Sequence, residues 1–375
     1  MFLTIRELLF ARSRFALMGS VVALTAVLMV LLSGLSVGLV NDGVSGLEKL
    51  PVTSLAFERG VAADAAFSRS VVDLDAVGEW AGRDGVTAAA PYGNTLVNAK
   101  TSGGVAVDLA LFGVDPGSFI APDAARGARL GSNPHEVVVS ATAVDAGVRL
   151  GDTVTIDRIG TELTVVGVLD GQHTYGHVDV GYVPLRTWQE IRVGAGPGDQ
   201  APAHAYEEIT AVAVRSASGT DLTAGDSAAA TTSMTVEDSF AASPGYSAET
   251  ATLRMIQVFL YAISALVVGA FFTVLTIQRK PEIAVLRAMG ASTWYVLRDS
   301  LAQSLVLLAL STAVGVGVGL AAGAAISATP MPFALEAGPI GVASLLLVVL
   351  GMAGASLAVL RITKIDPLTA LGGNR

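Results

Sequence analysis

Four stretches of the chain are almost free of charge: Phe15–Val40, Met255–Ile277, Leu301–Ile326 and Pro339–Leu360. Each is at least as long as the about 20 apolar residues that a helix needs to cross a bilayer, so the pattern predicts four transmembrane helices. Between the first and second spans the pattern changes. Val52–Arg215 carries β-branched runs bounded by Gly and Asp, "EVVVS", "GDTVTIDRIGTELTVVGVLD" and "HVDVGYVPL", which suit the strands of a small antiparallel barrel or sandwich. "DLDAVGEWAG" reads as a helix. Ser216–Thr250 is rich in Ala, Ser, Thr, Gly and Asp, with few large apolar residues, and predicts irregular structure leading back to span two. The expected fold class is membrane α-helical, with four transmembrane helices and an α+β domain inserted between spans one and two.

The amphipathic first residues suit a cytoplasmic helix at 1–14 lying in the membrane interface, or simply the start of span one. The remaining limits follow: 15–49, span one with an outer extension; 50–250, the inserted domain; 251–277, span two; 278–300, a polar helix and loop; 301–326, span three; 327–338, an outer loop; 339–360, span four; and 361–375, a tail.

Composition and charge orient this plan. With 52% hydrophobic and 15% charged residues, the 375-residue chain is too apolar to be a pair of soluble domains. Phe15–Val40 lacks a small-residue cleavage site and exceeds the about 7–15 residues of a signal-peptide core, so a retained anchor is expected. Lys and Arg accumulate on the cytoplasmic side of short loops. Arg6, Arg12 and Arg14 precede span one; Arg279, Lys280, Arg287 and Arg298 separate spans two and three; Arg361, Lys364 and Arg375 follow span four. Both termini are therefore expected in the cytoplasm of a multi-pass cell-membrane protein, with Asp42–Thr250 outside. That segment holds 27 acidic and 12 basic residues, a net charge of −15. The acidic surface argues against a nucleic-acid partner. The absence of cysteine means that the inserted domain rests on its own core, without disulfides.

The candidate chemistry is sparse. "GLSVG", Gly34 to Gly38, matches a serine-hydrolase pattern, but that pattern needs a strand–turn–helix elbow and here it lies inside an apolar helix. Gly34 and Gly38, like Gly315, Gly319 and Gly323 in span three, instead suit close helix packing. No G-x-x-x-x-G-K-[ST] loop occurs, so any ATP is expected to be bound by another chain. "HTYGH", His173 to His177, has ligand-like spacing with no third His or Cys nearby, and reads as loop histidines without metal. Gly34, Gly38, Asn41, Ser45 and Glu48 fall on one helical face. They form a stripe that runs from small to polar to carboxylate, as the lining of a contact or cavity would. "QRKPEIAVLRAMGAS", Gln278 to Ser292, reads as a short amphipathic helix with Pro281 in its first turn and Gly290 as its stop.

"TIQRKPEIAVLRAMGASTWYVLRDSLAQSLVLLALSTAVGVGVGLAAG" resembles the C-terminal region of the MacB/FtsX-type ABC transporter permeases. The tail "ITKIDPLTALGG" and the segment "HEVVVSATAVDAGVRLGDTVTI" with "TELTVVGVLD" are similar to the same family. The resemblance implies that Arg279, Glu282, Leu286, Arg287, Ala288 and Gly290 form a helix that docks on a separate ATPase subunit. "IRELLFARSRF" with "LLSGLSVGLVNDGVSGLEKL" resembles the haem-efflux permeases of Gram-positive bacteria, the HrtB type. That likeness implies a homodimer in membrane lipid that takes haem as its transported ligand, with no permanently bound cofactor and a glutamate as ligand to the haem iron. Glu48 is the expected ligand, a hard oxygen donor suited to ferric iron, with Glu249 as its rival. Met255 and Phe259 are candidates to face the porphyrin, and Arg254 to meet a propionate. Permeases for lipoprotein, peptide or antibiotic substrates, and scaffolds that regulate a cell-wall enzyme or sensor kinase, share this architecture.

Overall fold

The computed structural model describes residues 12–278, 289, 292–329 and 331–363. In chain order the principal elements are helix α1 (Arg12–Glu48), β1 (Ser54–Glu58), β2 (Val72–Asp73), α2 (Ala76–Ala81), β3 (Val86–Thr101), β4 (Ala106–Val114), β5 (Arg126–Gly127), β6 (Glu136–Val139), β7 (Thr153–Ile156), β8 (Glu162–Val168), β9 (Thr174–Tyr175) and β10 (Val178–Pro184). There follow α3 (Leu185–Arg192), β11 (Glu208–Ile209), β12 (Ala211–Ser216), β13 (Thr231–Thr235), α4 (Tyr246–Gln278), α5 (Thr293–Ile326) and α6 (Ala337–Thr363). The chain divides into a helical unit, Met1–Gly38 with Ala251–Arg375, and an inserted unit, Leu39–Thr250.

Segments of α1, α4, α5 and α6 are long and apolar enough to cross a membrane: Phe15–Glu48, Tyr246–Phe271, Arg298–Ile326 and Ala337–Leu357. Within the helical unit Phe15, Met18, Val22, Val268, Leu307, Leu308 and Ala355 form a buried cluster. Leu17, Leu24, Leu266, Leu310, Leu345 and Leu357 stay exposed. Apolar residues on both the inside and the outside are what a helix bundle in lipid requires. Small residues set the helix approach. A Cβ at Gly315 would overlap the Ala23 carbonyl and meet Ala26, and one at Gly319 would lie 2.8 Å from Val30 Cβ. α5 therefore packs on α1 at distances that leave no room for a side chain.

The inserted unit is built on an eleven-stranded sheet whose main path runs β13-β1-β12-β3-β4-β10-β6-β8-β5, with β7 pairing both β3 and β8. The ring β3-β4-β10-β6-β8-β7 thereby closes on itself, and β12, β1 and β13 form a wing on the first half of β3. The expectation of an antiparallel barrel or sandwich is corrected in one respect. β10 runs parallel to β4, and β8 parallel to β6, so the closed sheet is mixed. Alternation along the strands feeds two cores. Leu109 and Leu111 of β4 join Val137, Val139, Val154 and Leu163 in one. Ala110, Phe112 and Val114 join Tyr92, Val138, Val180 and Tyr182 in the other. α3 packs its Trp188 over β3 and β4, where Gly93 and Gly113 are required because a Cβ at either would overlap the indole.

The stretch expected to be irregular, Ser216–Thr250, is corrected too. It holds a helical turn at Thr223–Ala228, strand β13, a turn at Val236–Ser239 and the first residues of α4. β13 pairs with β1 over Ser54–Glu58, and that pairing rather than any apolar pattern of its own makes it a strand.

Candidate functional site

The polar end of α1 remains helical because the loop Gly171–His177 satisfies it. Ser45 Oγ is 2.9 Å from Thr174 Oγ1 and accepts the Thr174 N–H at 3.0 Å. Gln172 Nε2 donates to Asp42 Oδ1 at 2.9 Å, and Lys49 Nζ donates to the Gln172 carbonyl at 2.6 Å. The Gly43 carbonyl accepts from Gly176 N–H at 2.9 Å and from Ser243 Oγ at 3.1 Å.

At the centre of this joint is His177. Its Nδ1 lies 2.9 Å from Asp42 Oδ2 and its Nε2 lies 3.1 Å from Glu249 Oε2. The ring links the inserted-unit ends of α1 and α4, and it donates to both carboxylates only when both nitrogens carry a proton. His177 holds a positive φ of 66°, the left-handed region. Nearby, burial and the Lys49 ammonium push His173 down from 6.5 to about 4. Burial pushes the Asp179 carboxyl up, against the opposing hydrogen bonds of Thr142 and Ser140. "HTYGH" thus packs against the polar end of α1. Among the described residues no group of three or more His, Cys, Asp or Glu side chains could hold a metal ion.

The stripe on α1 packs largely on its own chain. A Cβ at Gly34 would overlap the Phe333 ring, one at Gly38 would overlap Pro332, and Ser45 is buried against Thr174. Gly34 and Gly38 thus make close contacts, and of the polar members of the stripe only Glu48 is exposed. Gly323 meets Leu335 and Phe333, so the segment after α5 seals the glycine faces of both α1 and α5. Ser36 sits within the unbroken helix α1, where the elbow of a hydrolase nucleophile cannot form. One contact has no counterpart in the pattern of the sequence: Gly269 of α4 and Gly354 of α6 face each other, with a Cβ at Gly269 reaching 3.5 Å from Gly354 Cα.

The helical unit also holds a cavity of about 560 Å³ with a wholly apolar lining. Leu28, Leu31, Leu32 and Leu35 of α1 form one wall, and Ile256, Phe259, Leu260 and Ile263 of α4 another. Ile326, Met331 and Phe333 complete its lining. Of the residues expected to bind haem, Phe259 lines this cavity, Arg254 and Met255 are exposed on α4, and Glu48 belongs to the inserted unit. Glu249, the rival ligand, is engaged by His177. Arg279, Glu282, Leu286, Arg287, Ala288 and Gly290 lie outside the described residues, as do 1–11 and 364–375.

Four apolar helices carrying an inserted α+β unit define a multi-pass membrane protein. Residues 254–367 match the family model described as FtsX-like permease C-terminal. A Staphylococcus epidermidis protein provisionally named hemin transport system permease protein HrtB is 32% identical over 130 residues, 35% of this chain and 37% of that protein. A Staphylococcus haemolyticus protein of the same name is 31% identical over 128 residues, 34% and 36% of the two chains. The match spans little more than a third of the length of these curated relatives. Among solved structures, the extracellular domain of the noncanonic ABC-type transporter YknZ from Gram-positive bacteria has a TM-score of 0.34 and 15% identity, covering 47% of this chain and 90% of its own. The periplasmic region of MacB from Actinobacillus actinomycetemcomitans has a TM-score of 0.36 and 13% identity, covering 50% and 90%.

Proposed function

We propose that the protein is the permease subunit of an ABC-type efflux pump that takes haem from the membrane and exports it, as a homodimer driven by a separate ATPase subunit. The observation that carries this reading is the FtsX-like permease match over residues 254–367, joined to the likeness to proteins named for hemin transport. The wholly apolar cavity of the helical unit supports a hydrophobic cargo, since its volume of about 560 Å³ falls in the range of small-molecule sites. In this reading both termini are cytoplasmic, and the segment from Arg279 to Gly290 docks on the ATPase.

Glu48 is the proposed oxygen ligand to the iron of the cargo. It is exposed and has no hydrogen-bonding partner among the described residues, whereas Glu249 is tied to His177. Phe259 is proposed to contact the porphyrin from the cavity wall, with Met255 beside it on α4 and Arg254 as the cation for a propionate. The test is a haem titration of the detergent-solubilised protein by absorbance. Glu48→Ala should lose the ligand-dependent spectrum and Glu249→Ala should keep it. The reverse result would move the ligand to Glu249. Absence of haem binding by the intact protein would leave a permease for another hydrophobic cargo. Failure of ATP hydrolysis by a co-purified ATPase to respond to Glu282→Ala or Arg287→Ala would remove the docking role.

A further inference from the structure

Strand β3 changes partners along one edge. β12 pairs with it as far as Tyr92, and β7 takes over from Ala99. Thr210 N–H donates to the Tyr92 carbonyl at 3.0 Å, Asn94 N–H donates to Thr210 Oγ1 at 3.0 Å, and Asp157 N–H donates to the Asn98 carbonyl at 2.8 Å. Because alternate residues of a strand turn their backbone groups to the same edge, the even-numbered residues face away from β4. Between those anchored points the Asn94 carbonyl and both backbone groups of Leu96 have no partner among the described residues. The cause is topological: the wing and the closed ring diverge from β3 here, and neither covers its middle.

Two cavities flank the gap. One, of about 320 Å³, is lined by Arg69, Val71, Asn94, Leu96 and Arg192, among others. The second, of about 340 Å³, shares Leu96 and Arg192 and adds Asn98, Asp157 and Arg158. Of the four large hydrophobic residues exposed on the inserted unit, Val71, Leu96, Leu150 and Val193, two line these cavities and Val193 follows Arg192. In a unit with 27 acidic and 12 basic residues, three arginines gather at this one place. Arg192 pairs with Glu208 at 3.2 Å, and Asp157 is drawn to Lys100 at 3.9 Å. Arg69 and Arg158 make no ion pair among the described residues.

We propose that this stretch of β3 binds an extended segment of a partner protein, which adds a strand between β12 and β7. Free backbone groups supply the hydrogen bonds of such strand addition, and flanking pockets select alternate side chains. At about 3.4 Å per residue the interval from Tyr92 to Ala99 spans about 24 Å, room for about seven residues. The exposed Val71, Leu96 and Val193 with Arg69 and Arg158 select a segment that alternates apolar and acidic side chains. This inference goes beyond the permease reading and does not depend on the cargo.

The probe is a fluorescent peptide, acetyl-Asp-Val-Asp-Leu-Glu-Val-Asp-amide, titrated into the detergent-solubilised full chain. Its analogue with Lys at each acidic position is the control. The acidic peptide should bind and slow deuterium exchange at the Leu96 amide, and the basic analogue should not bind. Leu96→Pro removes the free N–H while sparing the bonds that Thr95 and Val97 make to β4, and should abolish binding. Arg69→Glu, an exposed change outside the cores, should weaken binding about tenfold. No binding of the acidic peptide, equal binding of the basic one, or unchanged binding by Leu96→Pro or Arg69→Glu would overturn the proposal.

Discussion

Removing the His177 imidazole should open the joint between the loop Gly171–His177 and the end of α1 by an amount that the geometry fixes. Two contacts are lost, one to Asp42 at 2.9 Å and one to Glu249 at 3.1 Å. The side chains are partly open to water, at 36% for His177, 23% for Asp42 and 27% for Glu249, so each pair contributes about 0.5–1 kcal/mol. His177→Ala should therefore cost about 1–2 kcal/mol locally. The positive φ of 66° makes a second variant informative, because a residue with a Cβ pays about 1 kcal/mol in this region that glycine avoids. His177→Gly should lose the same contacts yet recover about 1 kcal/mol. The readout is amide exchange at Gly176, whose N–H is bonded to the Gly43 carbonyl within the joint. Exchange should rise about 5–30-fold in His177→Ala and distinctly less in His177→Gly. Unchanged exchange in His177→Ala, or a larger rise with glycine than with alanine, would refute the account.

Two further outcomes follow from the same packing. Gly315→Val should destabilise the helical unit by about 1–3 kcal/mol, since the added Cβ collides with the Ala23 carbonyl and Ala26, whereas Gly317→Ala should be neutral or stabilising because nothing lies within 4 Å of a Cβ there. Thermal unfolding in one detergent compares the two, and equal effects would remove the close α1–α5 approach. The inserted unit should lose stability as pH falls from 6.5 towards 4: the His173 ring takes a proton near 6.5 when unfolded and only near about 4 when folded, so the unfolded chain binds more protons across that window. Because the ring is partly open to solvent the loss is about 1–2 kcal/mol, checked by comparing acid unfolding with His173→Gln, which should flatten the dependence.

The four spans were legible because lipid acts as the solvent for a long helix, and its demand is written in composition alone. The continuation of α1 to Glu48 was legible from the 4, 3, 4, 3 recurrence of Gly34, Gly38, Asn41, Ser45 and Glu48. What that face touches was not, because its partners are remote in sequence. Thr174 is 129 residues from Ser45, and His177 is 135 residues from Asp42 and 72 from Glu249. The local spacing of two histidines read as an ordinary loop and gave no sign of two carboxylates arriving from elsewhere. The same limit explains β13. Thr231–Thr235 carries no apolar alternation of its own and is a strand only because β1 offers it an edge.

Parallel pairing was hidden for a related reason. The β-branched runs revealed β6, β7, β8 and β10 as strands and left β4 unmarked, and the direction in which two strands meet depends on the path of the chain between them. Between β4 and β10 that path includes β6, β7 and β8, which themselves complete the ring. Once the ring closes on the second half of β3, the wing has only the first half to pair with. The open backbone at Leu96 is therefore a product of the global topology, and no feature of "YGNTLVNAK", Tyr92 to Lys100, announces it. The exposure of Leu96 beside Arg192 looks unremarkable in the sequence. In the fold it marks the one interval of β3 where neither neighbouring strand supplies a hydrogen bond, which is why exchange at that single amide separates the strand-addition reading from an ordinary apolar surface residue.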